Sequence, residues 1–142
     1  MAALTAERRL REETWAYQTF KLPTGKTAFK GGIAMYDQSV AKCIPAETAA
    51  GQSDLFALGT FNETVANTSG ADKDVVVHLK REIRVLWFKN DATDPVTAND
   101  IGKDVYAVDD QTVSISGATS TRSVLGTAWA IDATLGVAVE VK

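Results

Sequence analysis

The chain has 142 residues, 45% hydrophobic and 23% charged, which fits one ordinary globular domain and excludes wholesale disorder. No apolar run approaches the roughly 20 residues of a membrane helix, and the charged N-terminal stretch predicts no secretory signal. A single cysteine, Cys43, excludes an internal disulfide, a single histidine, His78, excludes motifs that need two, and a pI near 5.1 argues against a dedicated nucleic-acid binder.

The charge is unevenly distributed. Residues 1–30 hold Arg8, Arg9, Arg11, Lys21, Lys26 and Lys30 against Glu7, Glu12 and Glu13, a net +3, while residues 31–142 are acidic. The same segment carries Trp15, Tyr17, Phe20 and Phe29. Free tails seldom carry so many aromatics, so residues 1–30 are read as an arm that lies on another, acidic surface. The expected contacts are Trp15, Tyr17 and Phe20 as anchors and Arg8, Arg9 and Arg11 as the charges that orient the encounter. The competing reading makes 14–22 a strand of the body. Within the arm, Thr5 and Glu7 mark a candidate helix over 6–17. Pro23-Thr24-Gly25-Lys26-Thr27 resembles the end of a phosphate-binding loop. Phe20 stands where that loop needs its first glycine, which rejects the reading.

From residue 31 the pattern is that of strands separated by turns. Runs at 33–36, 40–44, 55–65, 105–108, 112–116, 124–131 and 137–141 alternate with turn residues such as Asp37-Gln38, Asn67 to Gly70, Asp109-Asp110 and Leu135-Gly136. The longest alternation covers 75–87. Val75, Val77, Leu79, Ile83, Val85 and Trp87 share one parity, predicting one strand with a bend near Lys80-Arg81-Glu82. A short helical turn is expected at Thr97-Ala98-Asn99-Asp100, where the threonine and the acid three residues on suit a capping box. Short strands spaced by turns predict an all-β fold, a small antiparallel β-barrel or sandwich, in residues 31–142.

The body also repeats itself. Residues 33–40 align on 106–113, sharing Ala, Asp, Gln and Val in order, and Leu58-Gly59-Thr60 recurs as Leu125-Gly126-Thr127. Two related halves packed as one body are expected, each covering the other's apolar face. In this alignment Asp37 and Asp110 cap the hairpin turns, and Gly59 and Gly126 mark a bulge or a close backbone approach.

Catalytic constellations are absent from the sequence. His78 has no partner histidine, no Gly-x-Ser-x-Gly surrounds a serine, and Cys43 sits in a strand-like run as a buried structural thiol. Asp91, Asp94, Asp100, Asp104, Asp109 and Asp110 lack the EF-hand spacing and are read as solvated acidic loops. Neither enzyme activity, cofactor nor metal is expected.

Several stretches together resemble the head decoration, or capsid cement, proteins of tailed bacteriophages. They are Gly31 to Asp37, Leu58-Gly59-Thr60-Phe61, Ile101 to Val113, Thr121 to Thr127 and Gly136 to Val139. The resemblance implies a small β protein that binds the outside of an icosahedral shell and stabilises it. The implied partners are the major capsid protein and other copies of the chain, as a homotrimer, with no direct nucleic acid and no membrane. Such a protein is made in the host cytoplasm and resides on the capsid exterior. A ring-forming head-completion or tail-tube-type protein is the alternative, and a small-molecule-binding β-barrel a further one.

Overall fold

The computed structural model describes residue 6, residues 15–81 and residues 84–142. The strands are β1 (Tyr17–Leu22), β2 (Lys26–Ala28), β3 (Ile33–Asp37), β4 (Lys42–Pro45), β5 (Phe56–Phe61), β6 (Val65–Asn67), β7 (Lys73–Leu79), β8 (Val85–Asn90), β9 (Asp104–Ala107), β10 (Thr112–Ser114), β11 (Val124–Asp132) and β12 (Gly136–Val141). One short 3-10 turn, Ala98–Asp100, sits between β8 and β9. The Asp100 carboxylate accepts hydrogen bonds from the Thr97 backbone N–H and hydroxyl, closing the expected box. The fold is all-β. Among the described residues no helix is long and apolar enough to cross a membrane.

The strands form two bodies of the same plan. The first is a sheet in the order β1-β7-β5-β3-β4; the second is a closed barrel, β10-β8-β12-β11-β9. Read from the hairpin outward, β4-β3-β5-β7-β1 matches β10-β9-β11-β12-β8 strand for strand. The two related halves are thus visible as a repeated topology, 17–79 and 85–141. They differ at the seam. In the second half β8 and β10 pair in parallel and close the ring, whereas in the first β1 and β4 remain the two edges of the sheet. The first half also carries a small ribbon, β2 with β6.

The two glycines of the Leu-Gly-Thr segments hold equivalent places. Gly59 lies opposite Leu79 and Gly126 opposite Val141. A Cβ built on Gly59 would stand 2.1 Å from the His78 carbonyl oxygen, and one on Gly126 would stand 1.9 Å from that of Glu140. Register shifts accompany both, between Ala34 and Met35 opposite β5, and between Val124 and Gly126 on β11. Each half therefore bends at a bulge that a side chain would obstruct.

Three sequence expectations need correction. The boundary at 30/31 does not hold, because β1 pairs along β7 over its whole length, from Tyr17 opposite His78 to Leu22 opposite Lys73. Leu22 and Ala28 are fully buried in the first half. Residues 17–28 belong to the body, and of the strand that the competing reading placed over 14–22 the structure shows Tyr17–Leu22. The single strand over 75–87 is two, β7 and β8, which belong to different halves. With the crossover the parity reverses, so that Leu86 and Phe88 turn inward and Val85 and Trp87 outward. Finally, the turn-capping acid of the second hairpin is Asp109, whose Oδ1 accepts from the Gln111 and Thr112 N–H groups. Asp37 does this for Ser39 in the first hairpin. The two hairpins thus align one residue away from the sequence match. The candidate helix over 6–17 lies mostly outside the described residues, and its last residue, Tyr17, begins β1.

Packing joins the halves into one body. Leu22, Phe61, Val75, Val77, Leu79 and Cys43 fill the first half. A second cluster is shared: Ile33, Met35 and Ile44 of the first half pack with Phe88, Val105, Val113, Leu125, Val137 and Val139 of the second. β3 serves both, since alternate residues face opposite sides of a strand: Ile33 and Met35 one way, Ala34 and Tyr36 the other. Hydrogen bonds cross the joint as well, from Ile33 N to Asp110 O at 2.8 Å, Ala49 N to Thr121 O at 3.0 Å and Thr48 Oγ1 to Val108 O at 2.9 Å.

Candidate interaction surface

The residues expected to grip a partner are divided by the alternation of β1. Tyr17, Thr19 and Lys21 face outward, while Phe20 and Leu22 face the core. Phe20 packs against the first-half cluster, its ring 5.6 Å from that of Tyr36, and is not a surface anchor. Tyr17 is 51% exposed and stacks on the His78 imidazole, ring centroids 4.7 Å apart. Trp15, just before β1, is 45% exposed. Arg8, Arg9 and Arg11 lie outside the described residues.

A second set of exposed aromatics lies on the second half, Trp87 among them hidden by the parity error. Trp87 is 43% exposed and Trp129 51%, so all three tryptophans of the chain stand at the surface. Ala138 on β12 lies opposite Trp87 on one side and Ala130 on the other. Trp129 is the extra residue of the β11 bulge next to Ala130. Ala138 points away from the barrel interior, yet it is only 3% exposed. Two large side chains flanking an alanine row account for that burial. The outer face of β8-β12-β11 accordingly carries Val85, Trp87, Ala138 and Trp129, with Glu140 opposite Val85. The signal in the sequence was the run Val85-Leu86-Trp87-Phe88, apolar on both parities. A strand of that kind buries one face and leaves the other for something else.

Arg84 ties the second half to the first. Its backbone carbonyl accepts from Val141 N at 3.2 Å, fixing it to the second half. Its side chain reaches to the first half: Nη1 donates to His78 O at 3.1 Å and to Thr60 Oγ1 at 3.2 Å, and Nη2 to Thr60 Oγ1 at 3.3 Å. Thr60, His78 and Tyr17 form one cross-strand row on the outer face of the first half. One arginine thus ties the end of β12 to that row. Partial burial pulls the guanidinium's pKa down, with the Tyr17 phenol acting in the other direction.

Elsewhere several polar groups hold turns and loops together. Asp91 accepts from the Thr93 and Asp94 N–H groups and lies 3.9 Å from Arg122. Burial would raise its carboxyl, but these hydrogen bonds, the Ser114 hydroxyl and the Arg122 charge outweigh that and hold it below the usual range. Asp132 is held low by the Leu135 and Thr134 N–H groups. Asp100 is held low first by the Thr97 N–H and then by Lys103. The Cys43 thiol is buried and pushed up to about 12, far from a nucleophile. An open cleft of about 410 Å³ lies at the joint between Phe29 to Gly32 and Asp110-Gln111. Asp110 is raised there by burial and by the neighbouring Asp109 charge. No protein-family model, no curated protein and no solved structure matches the chain.

Proposed function

We propose that the chain is a structural virion protein that binds the outer surface of a tailed-phage capsid and stabilises the shell. The observation that carries the reading is the surface itself. A double β body whose single thiol is buried exposes Trp15, Tyr17, Trp87 and Trp129 at its surface. Trp, Tyr and Arg are the residue types that carry most binding energy at protein interfaces. The family resemblance supplies the partner, the major capsid protein, and an assembly of three copies on the capsid exterior. Several equivalent weak contacts in such an assembly raise effective concentration and give tight decoration from modest single-site affinity. On this reading the chain is neither an enzyme nor a direct nucleic-acid binder. The test is sedimentation of the purified protein with heads of its phage that lack it, followed by thermal challenge of the shells. Saturable co-sedimentation and later shell rupture are expected. Protein that stays in the supernatant at every concentration refutes the reading, and so does a closed ring that binds only at the portal vertex.

A further inference from the structure

We infer that the outer face of β8-β12-β11 pairs with the same face of a second copy, reversed end for end, so that the tryptophans meet at the centre and Glu140 of each copy lies beside Lys89 of the other.

The register of the three strands lays the face out in rows. At one end Val85 lies opposite Glu140, and in the middle Trp87 lies opposite Ala138, with Ala130 beyond it. Trp129, the extra residue of the β11 bulge, stands beside that middle row. At the other end Lys89, on the same parity of β8 and exposed, lies next to Gly136. The face therefore runs acid, aromatic, base, with Val85 and Lys89 about 13 Å apart and Trp87 midway between them.

That order is complementary to its own reversal. A two-fold axis lying across the strands at the middle row sets Trp87 against Trp87 and Ala138 against Ala138. It lays the aliphatic stem of Lys89 over Val85 of the other copy and leaves the ammonium one strand spacing, about 5 Å, from Glu140. The same pair recurs at the opposite end, as a closed two-fold contact requires. Turning the axis along the strands would instead set Glu140 against Glu140, a like-charge contact that opposes association. Shape agrees with charge. Gly136 has no side chain, and an open cleft of about 450 Å³ lies at that end between Lys89, Asp132 and Leu135. The reversed copy brings its Glu140 to this cleft. Asp132, the other acid there, lies across Gly136 from Lys89, and one of its carboxylate oxygens accepts from the Thr134 and Leu135 N–H groups of its own turn.

A surface of one charge would meet an opposite charge at one end of this face and a like charge at the other. A second copy carries the same alternation and satisfies both ends. The pair is weak in solution: each copy carries a net −3, and three strands by five residues measure only about 15 by 16 Å, well below the roughly 800 Å² per partner of a stable complex. It fills where copies are concentrated. The pairing goes beyond the capsid reading and stands without it. On a shell it leaves Trp15 and Tyr17 free for the capsid, and it links neighbouring three-copy assemblies, whose own contacts are heterologous.

The test is sedimentation equilibrium of the full chain from about 5 μM to about 1 mM, the range in which a weak pair forms. Wild type is expected to approach the mass of a dimer at the top of that range. Trp87→Ala, Lys89→Glu and Glu140→Lys, with folding checked by circular dichroism, are each expected to weaken association at least about tenfold. Combining Lys89→Glu with Glu140→Lys restores opposite charges and is expected to return association to within about threefold of wild type, a recovery that misfolding cannot give. A monomer over the whole range overturns the inference, and so does growth to a trimer. Charge variants that weaken association without mutual recovery also overturn it, because the ends are then not reversed. Association that survives Trp87→Ala while binding to phage heads is lost gives the face to the shell and overturns it as well. Dimers that behave as expected but do not bind heads leave the inference standing and remove the capsid reading.

Discussion

Replacing Gly126 by alanine tests the claim that both halves are bent by the same device. The new Cβ would lie 1.9 Å from the Glu140 carbonyl oxygen and 2.8 Å from its carbon. Unstrained carbon–oxygen contacts lie at about 3.3 Å or more, so β11 and β12 must part by about 1 Å or more. The neighbouring Lys142 N to Leu125 O bond, now 3.0 Å, cannot survive such a separation. Losing one or two ladder bonds at about 1 kcal/mol each, plus about 1–3 kcal/mol of overpacking, gives a destabilisation of roughly 2–5 kcal/mol. Gly59→Ala meets the same obstruction, 2.1 Å from His78 O, and adds a backbone conflict because Gly59 sits at φ +145°. That raises its cost by about 1–3 kcal/mol. Against the typical 5–15 kcal/mol of a domain, either variant sits near the threshold of folding. Urea unfolding followed by far-UV circular dichroism is the suitable assay, because the exposed tryptophans report poorly on burial. Both variants should lower the midpoint of one cooperative transition, Gly59→Ala the more, since the shared cluster couples the halves. A Gly126→Ala midpoint within about 0.5 kcal/mol of wild type, the usual span of neutral surface changes, would show the close approach to be of no consequence.

Other outcomes follow from the same contacts. Deleting residues 2–14 should leave a folded protein, whereas deleting 2–30 removes the buried Leu22 and Ala28 and strips β7 of its partner, so that chain should be unfolded by circular dichroism. Asp110→Asn should stabilise at pH 7 and do nothing at pH 3, compared by urea midpoints. The raised folded pKa means the native state binds the proton more tightly, so the cost of ionising Asp110 develops as pH rises through that value and is absent below the unfolded one. Asp91, Asp100 and Asp132 act with the opposite sign: their depressed values give stability that is present above the ordinary aspartate pKa and lost as pH falls through the folded values, so an acid titration should show a transition below about pH 4. Cys43 should be silent to thiol reagents at pH 8 in the native protein and react in step with urea unfolding; fast native labelling would contradict its burial.

Much of the fold was legible because its signals are local. The hairpins around Asp37 and Asp109, the 3-10 turn at Thr97 and the glycines of the two Leu-Gly-Thr segments all announce themselves within a few residues. What was misread depends on pairing across long separations. Tyr17 to Leu22 alternates correctly, but its partner β7 lies more than fifty residues away, so the aromatics looked like a free arm. In 75–87 the apolar parity resumed after Arg81, beyond the crossover, because Val85 and Trp87 are apolar for the surface's sake rather than the core's. Alternation cannot tell those two causes apart. The candidate site inherited both errors: Phe20 was assigned outward and Trp87 inward, and Arg84 drew no attention because a lone arginine has meaning only through the two strands it touches.

The unequal closing of the two halves has a consequence for crowding. A ring of strands has no free margin, so of the two large sheets only the first, at β1 and β4, offers backbone groups to which another chain could add. Both are fenced: Lys21 and Lys42 sit on these strands in ion pairs with Asp74 and Asp72, Pro23 follows β1, and Pro45 ends β4 without an N–H to give. At these two edges, copies brought together at high density then meet through side chains. Such contacts come apart again, whereas sheets that grow by strand addition do not, and the protein can be accumulated in quantity without seeding fibres.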